Sequence, residues 1–211
     1  MLQLKVLKSC EIKMNFKFKG KFVFFATNNV NKFNEARVLL AKYGISMGML
    51  RVKNLEIQSD DLEEIAKASV LEAFKNCRLP LIVEDAGLFI KALNGFPGPY
   101  TSYVYKTIGN EGVLKLLKEK EERRAKFQSV IAYLSEEFSS PKCFKGEALG
   151  EITKEKRGGD RKSGFGFDPI FKPLNSSKTF AEMSIEEKNL YSHRAKALRR
   201  FAEWYKSLEK L

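Results

Sequence analysis

Two short, unbroken apolar runs constrain this chain more than any other feature. Phe22-Val23-Phe24-Phe25-Ala26 and Leu81-Ile82-Val83 have the length of strands and lack the alternation of a strand with one wet face. Such strands must be covered on both sides. The intervening segments supply the cover. Phe33, Ala36, Leu40 and Tyr43 keep helical spacing over about Asn31 to Tyr43, and Gly44 stops that helix. Asp60 and Glu63 resemble a capping box for a second helix, with Leu62, Ile65, Ala66, Val70, Ala73 and Phe74 as its apolar stripe. Strands alternating with helices predict an α/β fold.

Further along, Glu111 to Arg124 reads as a charged surface helix, and Phe127–Leu134 and Cys143–Thr153 as strands. A short strand is expected near Pro169–Lys172 and a long helix from about His193 to Leu208. No repeat or Ser/Pro-rich linker divides residues 21–211, which read as one domain. With 211 residues, 44% hydrophobic, the chain can build one sizeable core or two lobes sharing a sheet. Residues 1–20 read as an extension of unassigned role. Lys5, Lys8, Glu11, Lys13, Lys17 and Lys19 leave it no apolar signal-peptide centre, and Met14 stands as an alternative start. No stretch approaches the ~18 apolar residues of a membrane span, so a cytoplasmic protein is expected.

Cys10, Cys77 and Cys143 are odd in number and far apart, and one histidine cannot complete a zinc cluster; reduced thiols are expected. The formal charge of +12, from 38 Lys+Arg against 26 Asp+Glu, favours an anionic partner, either a nucleic acid or a polyphosphate. A solvated Lys/Glu-rich surface would look the same.

Four constellations could carry chemistry. Thr27-Asn28-Asn29-Val30-Asn31-Lys32 joins a strand to a helix, where backbone N–H groups and a lysine can hold phosphate. It is not a Walker A loop, and it could equally be a polar turn with Asn caps. Glu84-Asp85 ends a buried strand, the place where open α/β sheets bind ligands, and suits Mg²⁺ or a structural role. Strand alternation sends those two side chains to opposite faces. Gly164-Phe165-Gly166-Phe167-Asp168-Pro169 offers a close backbone approach, aromatic faces and an acceptor, or simply a tight loop with core aromatics. Lys188 with Ser192-His193-Arg194 puts adjacent donors at a helix start.

Together and in this order, these segments resemble the inosine/xanthosine triphosphate pyrophosphatase family. The resemblance also rests on Leu93-Asn94-Gly95-Phe96-Pro97-Gly98-Pro99-Tyr100, Thr179-Phe180-Ala181-Glu182-Met183 and Glu187-Lys188-Asn189, and it spans about Phe22 to Leu208. It implies an elongated, two-lobed α/β protein around a long twisted mixed sheet, with a substrate cleft between the lobes and usually a homodimer. The implied reaction is Mg²⁺-dependent hydrolysis of ITP, dITP and XTP to the monophosphate and pyrophosphate.

Carried over by position, Thr27, Asn28, Asn29 and Lys32 would hold the triphosphate. Asp85 would activate water and bind metal with Glu56. Ala86, and Gly87 after it, would approach phosphate or sugar. Phe165 would stack on the base within Gly166-Phe167; Asp168, His193 and Arg194 would read its edge; Lys188 would sit near base or phosphate. Asn28 stands where the family often has Gly, and Ala86 where it often has Ser or Thr. A pyrophosphatase for modified pyrimidine triphosphates and a basic RNA- or DNA-binding module are the competing readings; aromatics interleaved with basic residues on a strand pair are not evident, so no specific nucleic acid is expected.

Overall fold

The computed structural model describes residues 21–52, 57–158 and 164–208. The readings for residues 1–20 and for Glu56 lie outside them. Both apolar runs are strands inside the sheet; Leu81–Val83 is buried throughout, while Phe22 and Phe24 of the first run stay half-buried. β1 (Lys21–Ala26) leads to α1 (Val30–Ala41), β2 (Ile45–Leu50), α2 (Leu62–Cys77) and β3 (Leu81–Ile90). The two-residue β4 (Pro97–Gly98), α3 (Thr101–Thr107) and α4 (Gly109–Leu116) precede two long strands, β5 (Arg124–Leu134) and β6 (Lys142–Ile152). β7 (Phe171–Pro173), α5 (Ile185–Tyr191) and α6 (His193–Ser207) complete the described elements. The sheet runs β2-β1-β3-β5-β6-β7, with β4 also on β3. β1 is parallel to β2 and β3, and the remaining pairs are antiparallel. It is therefore a mixed sheet, as expected.

β3, β5 and β6 are long enough to serve two lobes. At one end, Ile82, Ile131 and Tyr133 pack under α1 and α6 while Leu81, Val83, Val130 and Ala132 pack under α2 on the opposite face. At the other end of the same strands, Leu88, Ile90, Phe127, Ala148 and Ile152 join Val104, Val113, Phe171 and Phe180 in a separate core. Between the cores lies a waist at Glu84–Gly87.

The waist has a gap in its sheet. β1 pairs with β3 at Phe24↔Leu81 and Phe25↔Ile82 and ends at Ala26. β4 takes up that side only at Leu88. Over Glu84–Gly87, β3 keeps β5 on one side and has no strand on the other among the described residues.

Several expectations are corrected. The Asp60–Glu63 box is replaced by Asp61, whose carboxylate accepts the Glu63 N–H at 2.8 Å. The helix expected over Glu111 to Arg124 is α4, which stops at Leu116; the charged run after Leu117 has no apolar stripe to bury, and β5 starts at Arg124. Asp168–Ile170 is a 3-10 turn before β7. β2, α3 and α5 are additional. No helix among the described residues is long and apolar enough to cross a membrane.

Candidate active site

A cavity of about 1140 Å³ opens at the waist, lined from β1–α1 by Thr27 to Lys32, from β3 by Val83 to Ala86, and from the loop before β7 by Gly164 to Asp168. His193 and Arg194 of α6 and Phe127 of β5 also line it, as do Thr101, Ser102, Tyr105 and Lys106 of α3. Of the sequence-derived site residues in the described region, all but Gly87 and Lys188 reach this cavity.

The β1–α1 turn is built by its own side chains. Thr27 Oγ1 accepts the Asn29 N–H (3.1 Å), Asn29 Oδ1 caps the helix at the Lys32 N–H (3.0 Å), and the Asn28 amide donates to Val52 O (3.1 Å). These groups shape the loop, so the anion-binding capacity rests on the first-turn N–H groups of Val30 and Asn31, which an α-helix cannot satisfy internally, and on Lys32.

Three backbone groups of β3 at the gap and its rim are met by side chains. Lys32 Nζ lies 3.5 Å from Glu84 O, the Ala86 N–H donates to Asp85 Oδ1 (3.1 Å), and the Leu88 N–H donates to Thr101 Oγ1 (2.8 Å). Alternation separates the acidic pair as expected. Glu84 lies opposite Ile131, whose face packs under α1 and α6, and Asp85 opposite Val130, whose face packs under α2. Glu84, its side chain fully buried, binds Lys32 (2.8 Å), Ser129 Oγ (2.7 Å) and Arg194, whose Nε lies 3.0 Å from Oε1. Burial alone would raise the Glu84 carboxyl; the Arg194 guanidinium and the Lys32 ammonium outweigh it and hold the group well below the usual carboxylate range.

The opposite end is a buried ion network. Lys188 Nζ donates to Glu35 Oε1 (2.6 Å) and Asp168 Oδ2 (2.7 Å), and Arg194 donates to Glu35 Oε2. Burial raises Asp168 despite Lys188. Burial would raise Glu35 as well, but Arg194 and Lys188 hold it below its ordinary value. Asp168 Oδ2 also accepts the Phe165 N–H (2.9 Å), so this carboxylate ties the loop down in addition to lining the cavity. Lys188 sits behind the wall, with Nζ 4.7 Å from the Phe165 ring centre; it supports the aromatic and does not face the cavity. Phe167 is 1% exposed and meets Tyr105 edge-on, a packing role. Gly166 has φ +62°, which favours glycine at the turn. Gly87 packs against Gly98 of β4.

His193 is buried and stacked on Phe127 at 4.7 Å and 11°. Burial and the Arg194 charge push it well below the usual imidazole range, so it stays neutral, with one N–H and one acceptor. Its Nδ1 has no hydrogen-bond partner among the described residues. Gly146 lets it approach the sheet, because a Cβ there would stand 2.2 Å from His193 O and 2.5 Å from Ala197 N.

Glu35, Ser129 and Gly146, and Thr101, Tyr105 and Lys106 of α3, were not singled out from sequence. Glu35 had a signal, a carboxylate on the same side of α1 as Ala36, Leu39 and Leu40. Among the described residues no three His, Cys, Asp or Glu side chains come together as a metal cage. Asp85 alone, with phosphate and water oxygens, is the kind of donor set Mg²⁺ takes, so the site fits that ion.

Known proteins resemble this chain in sequence and in fold. The sequence model of the Ham1 family matches residues 23–204. The dITP/XTP pyrophosphatase of Methanopyrus kandleri is 52% identical over 185 residues, covering 88% of this chain and 96% of the relative. That of Saccharolobus solfataricus is 47% identical, covering 90% and 96%. The structure of a HAM1 protein from Coxiella burnetii superposes with a TM-score of 0.76 at 31% identity, covering 89% of this chain and 99% of the other. The Staphylococcus aureus Ham1 protein gives 0.74 at 30%, with the same coverage. The fold and cleft define an α/β protein with a nucleotide-sized site at its waist. The chain belongs to the Ham1 family.

Proposed function

We propose that the protein hydrolyses non-standard purine nucleoside triphosphates, dITP, ITP and XTP, to the nucleoside monophosphate and pyrophosphate. The observation that carries this reading is one cavity with an anion-ready helix start and Asp85 at one end and Phe165, His193 and Arg194 at the other. The relatives' names supply the substrate class.

Asp85 takes a proton from the attacking water. The water oxygen bonds to the α-phosphorus, the bond from that phosphorus to the α–β bridging oxygen breaks, and pyrophosphate leaves with the electron pair. Glu84, held ionised by Lys32 and Arg194, is unsuited to accept that proton and anchors the two cations. Mg²⁺ would be held by Asp85, with Glu56 as the second carboxylate, and when bound it neutralises phosphate charge and acidifies water. The Val30 and Asn31 N–H groups and Lys32 hold phosphate oxygens on the loop that Thr27, Asn28 and Asn29 shape; Ala86 contributes backbone.

Phe165 stacks on the base, steadied by Asp168, Lys188 and the Gly166-Phe167 turn. A 6-keto oxygen accepts from His193 or Arg194. Adenine offers an amino donor there and leaves a buried N–H unpaired, at a cost of about 1–3 kcal/mol. A pyrophosphate-release panel tests this: dITP, ITP and XTP with Mg²⁺ turn over far faster than ATP and GTP. Equal rates on all purine triphosphates overturn the reading.

A cytoplasmic homodimer goes with this function. Phe96, Tyr100, Tyr103 and Ile108 expose apolar side chains within one short stretch, Tyr103 by 69%, and a second copy would cover them. Light scattering that gives the monomer mass overturns the dimer.

A further inference from the structure

α4 opens at Gly109, whose φ of +60° turns the chain after α3. The next residue, Asn110, is buried but does not line the cleft. Its Nδ2 donates to Gly166 O (3.2 Å), 56 residues away in sequence. Its Oδ1 is buried without a hydrogen-bond partner among the described residues. A buried amide with one half unpaired is a poor way to stabilise a core, since Ala or Leu would leave nothing unpaired there. What Asn110 provides is the donor. Gly166 stands at φ +62° inside the aromatic turn, and among the described residues its carbonyl accepts from Asn110 alone.

We propose that Asn110 is a positioning residue: through the Gly166 carbonyl it sets the Phe165 ring against the purine base without itself touching the substrate. The inference rests on the reading of Phe165 as the face that stacks on the base. Two bonds close the turn on itself. The Phe165 N–H donates to Asp168 Oδ2 (2.9 Å), and the Asp168 N–H donates to Phe165 O (3.3 Å). Lys188 anchors the Asp168 end from behind the wall. Asn110 anchors Gly166, the residue next to Phe165. The helix that carries Asn110 is itself fixed, because Val113 of α4 and Leu117 just beyond it share a core with Phe167 and Ile170. Tyr105 of α3 adds an edge-on contact to Phe167 at 5.5 Å. The turn is thus held by the Lys188 network on one side and by α3 and α4 on the other.

Amide hydrogen exchange and steady-state turnover test this in the wild-type chain, Asn110→Ala, Asn110→Leu and Lys115→Ala. Lys115 is an exposed lysine of the same helix that does not line the cavity. In Asn110→Ala the amides of Phe165 to Asp168 exchange about fivefold faster, the scale of one neutral hydrogen bond. KM for dITP and XTP rises by about the same factor and kcat changes far less, while affinity for inorganic tripolyphosphate with Mg²⁺, a base-free probe, stays at the wild-type value. The denaturant midpoint moves little, because the unpaired Oδ1 leaves together with the lost bond and Gly166 is half-buried, so water can reach its carbonyl. Asn110→Leu fills the same space without a donor and gives the same results. Lys115→Ala behaves as wild type. A wild-type KM in Asn110→Ala, wild-type exchange across the turn, or a KM increase matched by an equal loss of tripolyphosphate affinity overturns the proposal. If the wild-type enzyme treats ATP and dITP alike, the substrate reading fails while hydrogen exchange still decides whether Asn110 holds the turn.

Discussion

At the phosphate end of the cleft, Thr27, Asn29 and Lys32 hydrogen-bond within a few residues of one another, on a turn whose Thr27 is buried and whose Asn28 to Lys32 are at least partly open to water. At the base end, Glu35, Asp168, Lys188 and Arg194 meet from four separate elements, Glu35 and Arg194 being 159 residues apart in sequence, and all are nearly excluded from solvent. The first arrangement survives the loss of one member, since water replaces a lost partner. The second balances desolvation against pairing and holds only while every charge has its counterpart. Substitutions at the phosphate end are therefore felt in binding and rate, and those at the base end in stability and selectivity.

The largest expected effect lies at the phosphate end. Asp85→Asn removes the proton acceptor and lowers kcat about a thousandfold, within the usual range for loss of a general base, while dITP binding and thermal stability change little. Near-normal turnover of that variant in a pyrophosphate-release assay removes Asp85 from its role. Next is Glu35→Gln, which leaves Lys188 and Arg194 short of a counter-charge and costs about 3 kcal/mol of unfolding free energy. Denaturant titration measures it. The two ends are distinct in kind only if this variant, once folded, still binds tripolyphosphate as wild type does.

The smallest effect concerns pH. His193 is the only histidine, and its folded-state pKa lies below that of the unfolded chain. Its contribution is present above about pH 6.5 and is lost as pH falls below it; moving from pH 7 to pH 5.5 costs about 1 kcal/mol. Glu35 and Glu84 are also depressed, but their contributions are lost only below about pH 4.5. Asp168, raised by burial, acts in the opposite direction, favouring the fold as pH falls. Comparing denaturant midpoints at the two pH values with those of His193→Gln isolates the histidine: the loss is absent from the variant.

The same contrast governs what could be read from sequence. β1, β3, α2 and α6 were legible because their apolar periods are long and their burial is one-sided or complete. β2 was not: Ile45-Ser46-Met47-Gly48-Met49-Leu50 has a single β-branched residue and an interior glycine, both weak strand signals, and as the edge strand beside β1 it buries only Ile45 fully. α5 carried a readable signal, the Ser184–Glu187 capping box. The phosphate turn was legible because its hydrogen bonds are local. Glu35, Ser129 and Gly146 were not, because each acts on a partner that only the tertiary fold brings near. Asp168, Lys188, His193 and Arg194 were legible as a group through family resemblance. Their division of labour, with Lys188 behind the wall and Asp168 tying the loop, was not.

The gap beside Glu84–Gly87 also bears on how the protein avoids sticking to itself. A strand with unmet backbone groups invites another extended segment to add to it, and this stretch lies in a cavity wide enough to admit one. Lys32 on Glu84 O, Asp85 on the Ala86 N–H and Thr101 on the Leu88 N–H occupy three of the groups an intruding strand would use. A charged lysine stands among them. The waist can thus stay open to a ligand while these side chains work against β-strand addition and the aggregation it seeds.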